Sequence, residues 1–113
     1  MGLIYHIASG ADWERAQATG EYITSTRGVT LAQQGYVHAS AADQVAGVAP
    51  FYRGDEGLVL LVINEDKVIP EVRYEAVPDR DQPFPHIYGP LNVDAVERVY
   101  PFDPTDPDRF RDR

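Results

Sequence analysis

Cysteine is absent from these 113 residues. Disulfide staples, thiolate catalysis and cysteine-ligated zinc are therefore excluded. Long hydrophobic runs are missing too. The longest, residues 58–63 (LVLLVI), falls far short of the about 20 residues that a membrane-crossing helix needs. No basic stretch followed by an apolar run opens the chain, so no secretory leader is evident and a cytoplasmic location is expected. Cations are scarce: 10 Lys and Arg stand against 18 Asp and Glu, for a net charge of −8. That balance argues against non-specific binding to nucleic acid, whose affinity comes mostly from phosphate neutralisation.

What is present describes one soluble globular domain, with 43% apolar and 25% charged residues. Residues 3–7 read as a strand. Ser9 and Asp12 stand three apart, the spacing of a capping box, and predict a helix that runs to Thr19 and stops at Gly20. Trp13 is its expected anchor on the core. Residues 30–34 suit one or two helical turns closed by Gly35, and residues 36–40 a short strand. Ser40 and Asp43 repeat the capping spacing and predict a second helix over residues 41–52. Its Val45, Val48, Ala49 and Tyr52 form a buried face, with Pro50 as an internal break. The LVLLVI run reads as a central strand buried on both faces. Residues 72–77 and 96–102 predict two more strands, residues 78–85 a loop and residues 92–95 a single turn. The order predicts an α+β domain over residues 1–102, with about five strands and two main helices. Residues 103–113 are expected to form a polar, frayed tail.

The chemistry rests on three histidines. His6 lies inside the first strand and His38 inside the second. Strand side chains alternate, so Tyr36, His38 and Ser40 share one face. If the two strands pair with their polar faces together, His6, His38 and Ser40 converge. The plainer alternative makes the histidines semi-buried residues bonded to backbone carbonyls, and makes Ser40 a helix cap. No two histidines have metal-ligand spacing, and no G-x-S-x-G turn carries a serine nucleophile, so neither a metal site nor a serine hydrolase is expected.

The stretch P-F-P-H-I-Y-G-P, residues 83–90, holds three prolines and a glycine and is locally stiff. It presents His86 and Tyr88, either to a ligand or as the corner of a core. Arg53, in F-Y-R-G-D, is a candidate for a phosphate or carboxylate, or else a solvated arginine at a helix end.

The motifs I-Y-H-I, A-D-W-E, G-Y-V-H-A-S, Q-V-A-G-V-A, F-Y-R-G, L-V-L-L-V-I and F-P-H-I-Y-G-P-L occur in that order. Together they cover the chain to about Phe102, and in that order they resemble the small bacterial domain-of-unknown-function family numbered 952. That family is similar, more distantly, to the ADP-ribosyltransferase-like superfamily and its RNA 2′-phosphotransferases. The resemblance implies a split, mainly antiparallel sheet, NAD or a related nucleotide as ligand, and transfer of an ADP-ribosyl type. It places His6 where such enzymes bond the adenosine ribose, and His38 with Ser40 beside the reacting ribose. The stiff loop's His86 and Tyr88 are expected to complete the cleft as ligand-binding residues, with Arg53 facing phosphate, although the arginines that the RNA phosphotransferases use on phosphate have no clear match here. H-I-A stands here where the superfamily usually has H-G-T, and no third-position glutamate is matched. Two other readings stay open: a non-catalytic small-ligand module, and a protein-interaction domain that uses residues 78–90.

Overall fold

A computed structural model describes residues 2–112. The chain opens with β1 (Leu3–Ser9), in which residues of alternate parity face two different cores. Ile4 and Ala8 pack into one apolar cluster, and Tyr5 and Ile7 into another. Ser9 accepts the Asp12 backbone N–H (3.1 Å) and starts α1 (Gly10–Thr19), as the spacing predicts. Gly20 ends it at φ 92°, a left-handed position where a Cβ is unfavourable. Short pieces follow: β2 (Glu21–Tyr22), β3 (Thr24–Thr26), β4 (Val29–Thr30), α2 (Leu31–Gln34), stopped by Gly35 at φ 95°, and β5 (Val37–His38).

The helix expected over residues 41–52 is broken. A 3-10 turn (Ala42–Gln44) leads into a single α-turn, α3 (Val45–Val48), and a second 3-10 turn (Ala49–Tyr52) begins where Pro50 removes a helical N–H. Its apolar face is still inward: Val45, Ala49 and Tyr52 are buried. Ser40 does not cap it. The Ala41 N–H is taken by the Gln44 side-chain oxygen at 2.8 Å, and the Ser40 backbone is already committed to β1.

The remaining strands are β6 (Leu58–Asn64), β7 (Glu71–Glu75), β8 (Phe84–Tyr88), β9 (Leu91–Asn92) and β10 (Val96–Pro101). β6 is the LVLLVI run and lies between β1 and β10, antiparallel to both. Its Leu61 and Ile63 enter one cluster and its Leu58 and Leu60 the other, so both faces are buried as expected. Each such fully buried side chain contributes roughly 1.5–3 kcal/mol.

The second three-stranded sheet, β5-β8-β7, is also antiparallel. Its middle strand is the stiff segment 84–88, where local signals predict loop and corner. Proline is rare in central strands because it cannot donate. Pro85 is tolerated because its carbonyl accepts the Ala39 N–H at 3.1 Å, just past the end of β5. A residue's N and O face the same neighbouring strand, so the missing N–H faces Ala39, where β5 has ended, and only that one bond is lost. The two sheets are joined by one bridge, in which Tyr5 and Ser40 exchange both backbone hydrogen bonds at 2.8 Å. Residues 103–112 turn back over the first sheet. There Phe110 is buried, and its ring lies 5.0 Å from that of Tyr5. Among the described residues no helix is long and apolar enough to cross a membrane.

Candidate functional site

A cleft of about 300 Å³ opens between β1, the outer face of the second sheet and the broken helical segment 42–52. Ile7, Val45, Val48, Tyr52 and Phe84 give it an apolar lining. Val77, Pro78 and Arg80, from the loop before β8, close another side. Arg80 donates to the Gly47 carbonyl at 3.0 Å, and Gln44 donates to the Pro83 carbonyl at 2.9 Å. These two bonds tie that loop across the helical segment.

The polar end comes from the second sheet. Val37 and Ala39 belong to the inner cluster, so His38 and Ser40 face outward toward the cleft. In β8, Ile87 points inward and Phe84, His86 and Tyr88 outward. His38 and His86 pair across the strands, their ring centroids 5.3 Å apart and nearly perpendicular. Tyr36 stacks on His86 at 4.0 Å and 17°. The Ser40 hydroxyl and the His38 ring make no hydrogen bond to the protein among the described residues. His38 titrates below the usual imidazole range, first because of burial and then because of His86, and is neutral near pH 7.

His6 is placed differently. The Tyr5–Ser40 bridge puts those two side chains on one face, so His6 lies on the other, with Ala39. Its Nδ1–H donates to the His38 carbonyl, and its Nε2 accepts from the Tyr22 hydroxyl at 2.9 Å. A carbonyl only accepts, so the tautomer follows from the partner. Burial pushes the ring down to about 4, so it is neutral at pH 7. His6 borders the cleft, but both nitrogens are engaged within the protein. The site therefore brings together His38, Ser40 and His86. Arg53 is exposed and does not border the cleft, and neither does Tyr88.

Glu75 was not among the residues predicted from sequence. Its Oε1 accepts from His86 Nδ1 at 2.8 Å and from the Tyr88 hydroxyl. Those two bonds hold the carboxyl below its usual range. Alternation along E-V-R-Y-E puts Glu71, Arg73 and Glu75 on one face, but the strand that face meets is set by pairing, which no local pattern reveals. Arg80 was missed for a like reason: the loop it sits on is placed only by the closed fold. Among the described residues no group of three or more His, Asp or Glu is placed to hold a metal ion.

The fold and this cleft define a small α+β domain with two antiparallel three-stranded sheets and a cleft beside their junction. Residues 7–99 match the family described as protein of unknown function (DUF952), and the chain belongs to that family. It is similar to protein CC0527 from Caulobacter crescentus. The crystal structure of that protein is 34% identical, with a TM-score of 0.78 over 89% of this chain and 86% of that one. Its solution NMR structure is 31% identical, with a TM-score of 0.73 over 99% and 96%. No curated protein matches.

Proposed function

We propose that the cleft binds a small nucleotide-like ligand, a nucleoside or the nucleoside end of NAD. One observation carries this reading: in a mostly apolar hollow, the Ser40 hydroxyl and the His38 ring nitrogens have no hydrogen-bond partner among the described residues, beside His86. Buried or half-buried polar groups normally find partners, so a cluster left open is a place for a ligand's polar atoms. A flat heterocycle would lie against Phe84 and Tyr52, sugar hydroxyls would meet Ser40 and the histidines, and Arg80 would offer charge to a phosphate. The volume, about 300 Å³, is at the small end of ligand pockets and suits a nucleoside better than a whole dinucleotide. His6 acts here as a positioning residue that fixes β1 to β5. ADP-ribosyl transfer would follow as the activity if NAD is the ligand.

The test is a thermal-shift and calorimetric series with adenosine, ADP-ribose and NAD. At about 100 times Kd a ligand adds about 2.7 kcal/mol, which is a shift of many degrees for a domain of this size. Binding should weaken in His38→Ala and Ser40→Ala and persist in Arg53→Ala. No shift with any of the three compounds would overturn the reading.

A further inference from the structure

We infer that Glu75 is a positioning residue that holds His86 in its Nδ1–H tautomer, so that Nε2 presents a buried hydrogen-bond acceptor to a hydroxyl of the ligand. This rests on the nucleotide reading only in making that hydroxyl a ribose hydroxyl. An ionised carboxylate has no proton to give. The 2.8 Å contact with Glu75 Oε1 therefore requires the hydrogen on Nδ1. In the neutral ring Nε2, on the opposite edge, is then a bare lone pair. It is buried and has no hydrogen-bond partner among the described residues.

The ring is not free to turn and repair this. His86 is 3% exposed, Tyr36 stacks on one face and the His38 ring stands edge-on at 5.3 Å. Tyr88 donates its hydroxyl to the same carboxylate oxygen and holds Glu75 in turn. A buried acceptor without a donor is unfavourable, and the protein maintains it on the wall of its cleft. An O–H donor answers that atom. A carbonyl or phosphate oxygen, which only accepts, is repelled by it. The device therefore selects hydroxyl-bearing ligands and leaves anionic groups to Arg80.

Long-range ¹⁵N–¹H spectra of uniformly labelled protein read the tautomer directly. In the wild type, His86 should show a protonated Nδ1 and a bare Nε2. Adenosine should shift the Nε2 resonance, and 2′,3′-dideoxyadenosine should bind about ten-fold or more weakly, the effect of leaving a buried acceptor unpaired. In Glu75→Ala the proton should move to Nε2, and the discrimination between the two nucleosides should collapse. A histidine already protonated at Nε2 in the wild type overturns the inference. So does an unchanged tautomer in the variant, or equal binding of the two nucleosides. If adenosine fails but D-ribose still moves Nε2, the nucleotide reading falls and the acceptor stands. If neither moves it, the inference falls. Should Glu75→Ala not fold, Glu75→Leu, which keeps the bulk and offers Nδ1 no acceptor, makes the same test.

Discussion

Stability should fall with acidification through His6, and a single variant isolates the effect. His6 is 3% exposed, bonded at both nitrogens, and pushed by burial from 6.5 down to about 4. Between those two values the unfolded chain binds a proton that the native state refuses. Stability is thus complete above about pH 6.5, declines as pH falls, and levels off below about 4. A drop of that size, at about 1.4 kcal/mol per unit, amounts to about 3 kcal/mol. That is a large fraction of the about 5–15 kcal/mol that holds a typical domain. Urea unfolding of the wild type and of His6→Asn, followed from pH 7.5 to 4, checks it. The asparagine amide can still donate to the His38 carbonyl but does not titrate. It removes the Nε2 acceptor from the Tyr22 hydroxyl, which keeps its side-chain hydrogen bond with Thr24, a loss of about 1 kcal/mol that does not vary with pH. Carboxylates and His38 titrate in both proteins, so only the difference in slope reports His6. Toward low pH the wild type should lose about 3 kcal/mol relative to the variant, enough to meet or cross its curve. Parallel curves would refute a buried, neutral His6.

Other outcomes follow from the same contacts. Ser9→Ala should destabilise by about 1 kcal/mol because it removes a cap. Ser40→Ala should change stability by less than about 0.5 kcal/mol in chemical denaturation, since its hydroxyl bonds nothing among the described residues, while nucleoside binding weakens. Phe110→Ala should lose about 3–5 kcal/mol, the usual range for emptying a buried aromatic site; a negligible loss would show the tail to be dispensable. Gly47→Ala places a Cβ 2.8 Å from Arg80 Nη1, so the arginine must shift and the loop over the cleft should become more sensitive to proteolysis.

The capped first helix, the two glycine stops, the central LVLLVI strand and the final strand were legible because each is a local matter. A cap needs four consecutive residues, a left-handed stop needs a glycine, and a strand buried on both faces needs an unbroken apolar run. The segment 84–88 was not legible, because its prolines speak for a corner and only the ending of β5 at His38, beside Pro85, lets it be a strand at the loss of one ladder bond. Ser40 shows the same limit from the other side. Its spacing to Asp43 is that of a cap, yet the bridge to Tyr5 carries its backbone into the sheet and Gln44 answers the helical N–H instead.

By itself the sequence determined an acidic α+β domain without cysteine chemistry, and it put His38 and Ser40 on one strand face. Tertiary structure alone decided which groups meet. It turned His6 to the opposite face and paired both its nitrogens, and it set His86 beside His38. It also supplied Glu75 and Arg80 from elements far along the chain. The reason is that side-chain alternation is fixed within a strand. Strand partner and register depend on how the whole apolar surface is buried, and that is a property of the closed core.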